Sequence, residues 1–160
     1  MKTLVDQAIA GLVSSGLVSK SELVGCSEAE IQAIEDAFTI RLPAAYRQFL
    51  ALLGKCAGDF MRGTDFRYAD HVDIFSQRKG AEDLLIASGS SFHLMPTHFV
   101  FMSHQGYQFL FFDCDSTDDP AVWRYREGDA DPEPVASRFS MWLRVCVIDE
   151  VDPNSGDTMQ

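Results

Sequence analysis

Apolar residues recur along this chain with two different periods. Leu4, Val5, Ala8, Ile9, Leu12 and Val13 share one stripe of a helix. Thr3 is placed to cap its start and Gly16 to end it. The next stretch, "SSGLVSKSELVG", loses the period and reads as a linker with room for one helical turn. In "CSEAEIQAIEDAF" the period returns. Ser27 and Glu30 form a capping box, each side chain serving a backbone N–H of the first turn, and Ile31, Ile34 and Phe38 make the buried stripe. Thr39–Leu42 is predicted extended, because a residue before proline avoids the helical region. Pro43 opens the next helix, where its missing N–H costs nothing. Tyr46, Phe49, Leu50 and Leu53 give that helix its apolar face, and Gly54 is predicted to end it in a left-handed cap.

Beyond this helix pair, Gly58 and Gly63 bracket a loop of mixed charge and aromatic character, "KCAGDFMRGTDFRYAD". "QRKGAEDLLIASG" predicts a further helix, weakened by Gly80, with Ala81, Leu84, Leu85 and Ile86 inward. The period then shortens to two. "THFVFMSHQGYQFLFFDCD" carries two apolar runs around Gln105-Gly106, the pattern of a tight hairpin. With those two residues as the loop, His104 pairs with Tyr107, Met102 with Phe109, Val100 with Phe111 and His98 with Asp113. Both faces of this strand pair are mainly apolar. Cover on both sides is the simpler reading, and one face partly open to a partner is the other.

"DSTDDPA" is an acidic turn. "AVWRYRE" sets Val122, Arg124 and Arg126 against Trp123 and Tyr125, as in a strand with one wet face. "GDADPEP" reads as another acidic loop. "ASRFSMWLRVCVIDEV" predicts the last helix, capped by Ser137, with Phe139, Trp142, Leu143, Cys146 and Val147 inward. Asp149 and Glu150 oppose its dipole and should fray its end. The order of helices, consecutive strands and a helix predicts an α+β fold with an antiparallel sheet of about four to six strands. One domain is expected over residues 1–148, its core about 27–147, with 149–160 a disordered acidic tail.

Composition narrows the function. The formal charge is −11, and residues from Asp113 onward contribute −8 of it, with 12 acidic against 4 basic residues. Such a chain does not condense on nucleic acid or on an anionic membrane. A basic protein partner is favoured, because opposite fields speed encounter. Plain solubility accounts for the charge equally well. The N-terminal "MKTLVDQAIAGLVSS" is broken by Asp6 and Gln7 and is not a signal peptide, and no run is long enough to span a bilayer. A cytoplasmic location is expected.

Chemistry is sparse. Cys26, Cys56, Cys114 and Cys146 contain no CxxC pair and read as free thiols. His71, His93, His98 and His104 show no metal-ligand spacing. His98 opposite Asp113 resembles the orienting half of a catalytic triad, but no nucleophile accompanies it. "DCDSTDD" lacks the glycine and terminal glutamate of a calcium loop and reads as a solvated turn. Phosphate-binding and nucleophile-elbow motifs are missing from the sequence. No cofactor, metal or catalytic residue is assigned.

"AIEDAFTIRLPAAYRQFL" resembles the LP-x-x-Y-x-x-F-L helix pair of the SUKH superfamily, the Smi/Knr-type cell-wall-assembly-regulator domain. The matching residues are Glu35, Leu42, Pro43, Tyr46, Phe49 and Leu50. The Asn-Gly that often follows in the family is replaced by "LGKCAGD". "GDFMRGTDF", "FVFMSHQGYQFLFF", "VWRYREG" and "ASRFSMWL" resemble, in order, segments of one bacterial branch. The resemblance covers roughly Ser27 to Val147. It implies helices packed on an antiparallel sheet and a non-catalytic protein-binding role. Many bacterial members resemble immunity proteins that neutralise toxins, whereas fungal relatives are regulatory scaffolds.

The first expectation is therefore an immunity protein that binds a toxin domain, of nuclease type if that domain is basic. A scaffold with a housekeeping partner is the alternative, and a small hydrolase using His98 or His104 a distant third. Candidate contacts are exposed residues of mixed character. Asp59, Arg62, Asp65 and Tyr68 lie in the Gly-bracketed loop. His104, Gln105 and Tyr107 lie at the hairpin tip, and Asp115, Asp118 and Asp119 in the acidic turn. The ordinary reading of each is a solvent-facing loop position.

Overall fold

The computed structural model describes residues 1–154. Helix α1 (Leu4–Ser14) starts at Thr3, whose side chain and Asp6 form a reciprocal capping box, and Gly16 follows it with a left-handed φ of 82°. The linker holds one 3-10 turn, Lys20–Glu22, and a short strand β1 (Leu23–Val24). The Ser27–Glu30 capping box opens α2 (Glu28–Phe38), and Pro43 precedes α3 (Ala44–Leu53). Strand β2 (Cys56–Ala57) pairs antiparallel with β1.

After α4 (Gln77–Ala87) come β3 (His98–His104), β4 (Gln108–Asp113), β5 (Val122–Arg126) and β6 (Glu133–Ala136). They form an antiparallel meander in the order β3-β4-β5-β6, and α5 (Phe139–Val151) closes the chain. The result is the expected α+β architecture.

Both sheet faces are covered. On one, residues of α1, α2, α3 and α5 pack on Phe99, Phe101, Met102, Leu110, Phe112 and Val122. On the other, Ala81 and Leu85 of α4 pack on Val100, Phe109, Phe111 and Tyr125. Tyr46 sits at the centre of the first layer with ring centroids of Phe99, Phe101, Phe112 and Phe139 within 5.9 Å. Its hydroxyl is buried without a hydrogen-bond partner among the described residues, so Tyr46 contributes as an aromatic body.

The helix pair is joined through a buried carboxylate. Glu35 accepts a hydrogen bond from the Leu42 N–H at 2.9 Å and from Arg47 Nη1 at 2.5 Å. Arg47 also reaches Glu28. Thr39, predicted extended, takes a left-handed φ of 52° instead, which turns the chain sharply so that Leu42 comes back over α2.

Other expectations need revising. Gly54 is right-handed, with φ −63°. Its small size is what matters, since a Cβ there would lie 2.7 Å from Cys26 Sγ and from the Leu50 carbonyl oxygen. Ile86 is 78% exposed, outside the stripe of Ala81 and Leu85, and Leu84 is only partly covered. The hairpin register differs near its tip. Gln105 and Gly106 do have left-handed φ values of 47° and 79°, but Tyr107 belongs to the tip as well, so His104 pairs with Gln108 and Met102 with Leu110. A bulge between Val100 and Met102 then restores the expected Val100–Phe111 and His98–Asp113 pairs.

Strand β5 does not have one wet face. Val122 is buried in the larger core and Tyr125 in the smaller, while Trp123 and Arg126 are exposed. The second acidic loop ends earlier than expected, because Glu133–Ala136 forms edge strand β6, where Pro134 is tolerated. Helix α5 is not capped by Ser137, and it continues through Val151, into the stretch expected to be tail. Residues 155–160 of that stretch lie outside the described ones.

Candidate partner-binding surface

Two of the three candidate clusters come together. The Thr64 hydroxyl lies 3.0 Å from His104 Nδ1, which ties the Gly-bracketed loop to the hairpin tip. Asp65 and Ser103 exchange backbone hydrogen bonds at 2.9 Å, extending the sheet edge into the loop. Gln77, buried under the loop, donates to the carbonyls of Asp65 and Val72. Asp70 accepts from the N–H groups of Phe66 and Arg67 and pairs with the Arg67 guanidinium. Although burial opposes it, those bonds hold the Asp70 carboxyl below its ordinary pKa. The loop is therefore an ordered surface.

Within this surface Asp59 and Arg62 are exposed and loosely paired at 3.9 Å. Tyr68 leans edge-on against Phe75, 5.4 Å between centroids. Tyr107 is 40% exposed and edge-on to His104, and Gln105 is exposed at the tip.

The acidic turn lies at the opposite end of β4, about 17 Å away at the rise of an antiparallel strand. Its aspartates divide into two kinds. Asp115 and Asp118 project into solvent, although the Asp118 carbonyl accepts the Ala45 N–H at the start of α3. Asp119 caps α5: its Oδ1 accepts from the Ser140 N–H at 2.9 Å and its Oδ2 from the Ser140 hydroxyl at 2.5 Å.

Among the described residues, the His98 ring has a backbone N–H as its hydrogen-bond partner and no nucleophile. The Met95 N–H donates to His98 Nδ1 at 3.1 Å, and Asp113 Oδ1 accepts from the Asp115 N–H. No hydrogen bond joins the two side chains among the described residues. Burial, with Arg78 nearby, holds His98 below its ordinary pKa despite Asp113. Burial also pushes the thiols of Cys114 and Cys146 up to about 12 and that of Cys26 to about 11, so these cysteines stay protonated. Among the described residues no three metal-ligating side chains gather.

Trp123, absent from the candidate residues named above, is 37% exposed although β5 has a strand on either side. It lines a cleft of about 360 Å³ with Phe92, His98, Phe111, Asp113 and Asp131. A tryptophan among charged residues in "VWRYRE" was the available signal.

The helix pair carries the family likeness, and its geometry accounts for the pattern: an acidic residue on α2, Leu-Pro before α3, and a tyrosine at the core centre. A family model described as the SMI1 / KNR4 family (SUKH-1) matches residues 25–145. The chain belongs to that family. No curated protein matches it. Helix α1 lies outside the matched residues and packs against α5, with Val5, Ala8, Ile9 and Leu12 in the main core. The SUKH-1 domain is a protein-binding, immunity-protein-like module and generally not a catalytic one. No helix among the described residues is long and apolar enough to cross a membrane.

Proposed function

We propose that this SUKH-1 chain is a bacterial immunity protein that binds a toxin domain in the cytoplasm and neutralises it without catalysis. The observation that carries the reading is a protein-binding module whose negative charge is concentrated in one stretch, −8 from Asp113 onward. A nuclease toxin carries a basic groove for its substrate, and an acidic surface laid over that groove excludes nucleic acid by bulk and by charge. Asp115 and Asp118 would steer the encounter, and Asp59, Arg62, Asp65, Tyr68, His104, Gln105 and Tyr107 form the second, more mixed surface. Tyr107, which is exposed, is its aromatic anchor, and Tyr68, half-buried against the core, backs it. No cofactor takes part.

Co-expression tests this. Toxin domains encoded in neighbouring reading frames are expressed with and without the chain. Restored growth, together with a stable complex of the two proteins, is the expected result. Continued killing, with the chain folded and abundant, overturns the reading. A durable complex with a housekeeping protein instead supports a regulatory scaffold.

A further inference from the structure

The α4 face of the sheet is covered unevenly. Ala81 and Leu85 of α4 seal Val100, Phe109, Phe111 and Tyr125, but not Trp123. Trp123 lies on the same face as Tyr125, two residues away, and pairs across the sheet with Phe111. Large aromatics on interior strands are normally buried, so one left open at the end of a sealed face needs a reason.

The surroundings of the indole have a consistent chemistry. Phe92, His98 and Phe111 form an aromatic wall, with centroids 5.7 Å apart for Phe92–Phe111 and 5.0 Å for His98–Phe111. Phe92 and His98 are nearly parallel, at 13°. Asp113 and Asp131 stand on the rim, and no lysine or arginine lines this cleft. The adjoining cleft, on which Trp123 also borders, brings Asp118, Asp119 and one arginine, Arg138. Of these, Asp119 is spent on the α5 cap.

We propose that the Trp123 cleft receives an arginine side chain of the partner protein. The inference rests on the protein-binding reading and assigns part of its interface. An indole face attracts a guanidinium through its quadrupole, and the planar, weakly hydrated guanidinium stacks on aromatics better than an ammonium does. Asp113 and Asp131 accept its N–H groups in charge-assisted hydrogen bonds. The aromatic wall excludes water from the stack, which strengthens both interactions. Arginine and tryptophan are also the residue types that most often dominate interface energetics.

The test uses the full chain and a short peptide, acetyl-Gly-Arg-Gly-amide, followed through the indole N–H resonances. There are two tryptophans, Trp123 and the buried Trp142, and Trp123→Phe identifies which signal is which. The arginine peptide is expected to shift the Trp123 signal in a saturable way and leave Trp142 unmoved. The same peptide with citrulline, neutral and of the same shape, is expected to bind at least about 5-fold more weakly. Asp131→Asn, a change on an exposed loop that leaves the core intact, is expected to weaken the arginine peptide and not the citrulline one. Equal shifts with the two peptides, or none, overturn the inference. A concentration-dependent Trp123 shift without peptide, with a doubled mass in sedimentation, overturns it in favour of a second copy of the chain. These outcomes leave the growth assay untouched, so the cleft and the immunity reading fail separately.

Discussion

Asp119 holds the first turn of α5 through both of its oxygens, accepting from the N–H and the hydroxyl of Ser140 at 2.9 and 2.5 Å. The cap is supplied from 21 residues upstream, and it satisfies a backbone donor while placing a negative charge at the positive end of the helix. Asp119→Ala is expected to destabilise the fold by about 1–2 kcal/mol in denaturant melts. Asp118→Asn keeps its backbone contact to Ala45 and is expected to leave the melt unchanged.

The Glu35 carboxylate is buried and joins the two family helices, taking the Leu42 N–H and the Arg47 guanidinium. Glu35→Ala strands the buried Leu42 N–H and leaves the Arg47 guanidinium only its exposed partner Glu28. A loss of about 3 kcal/mol is expected, because an unpaired buried group costs more than the bond was worth. A double-mutant cycle with Arg47→Met checks it, since the second change should cost much less once the first is made.

Two glycines are expected to respond in opposite directions. A Cβ on Gly25 would lie 1.7 Å from the Ala51 carbonyl oxygen, where the segment docks on α3 through the Cys26 N–H and the Leu50 oxygen at 2.8 Å. Gly25→Ala is expected to cost about 3 kcal/mol or more, by forcing that segment away. Gly80 lies within α4 with open space around it. Gly80→Ala is expected to stabilise by about 0.5–1 kcal/mol, through helix propensity.

His98 makes stability depend on pH. Burial lowers its pKa in the folded state below the ordinary 6.5, with Arg78 adding to the effect and Asp113 opposing it. The unfolded chain therefore binds this proton more readily. The contribution is fully present above about pH 6.5 and is lost as pH falls from there through the folded value. Melting temperatures read from about pH 7.5 down to about pH 5.5 are expected to fall more steeply for the native chain than for His98→Gln.

The parts of the fold legible in the sequence are those encoded within a few residues. Ser27 with Glu30 announced α2, and Leu42-Pro43 with Tyr46, Phe49 and Leu50 announced α3 and its buried face. Elements that depend on distant partners were hidden. The cap of α5 comes from another turn, so Ser137 looked like the natural choice. The bulge at Phe101 left no mark, because every neighbouring position is apolar whichever face it takes. Strand β6 carries two prolines' worth of loop signal around it and forms only because β5 offers a free edge. Trp123 is one position in an alternation along β5, and its exposure depends on which part of the sheet α4 covers.

On the proposed reading the acidic turn steers encounter with the toxin. Asp115→Asn with Asp118→Asn is expected to slow association with a basic toxin domain and flatten its dependence on salt, leaving dissociation nearly unchanged. Stopped-flow mixing at several ionic strengths reads both rates.

Whether this SUKH-1 chain binds and silences a toxin, as proposed, is read from the growth of cells expressing a toxin domain from a neighbouring reading frame, with and without the chain at matched levels. Rescue that tracks complex formation and weakens when the acidic turn is neutralised is expected. Undiminished killing beside a folded, abundant and unbound chain would contradict it.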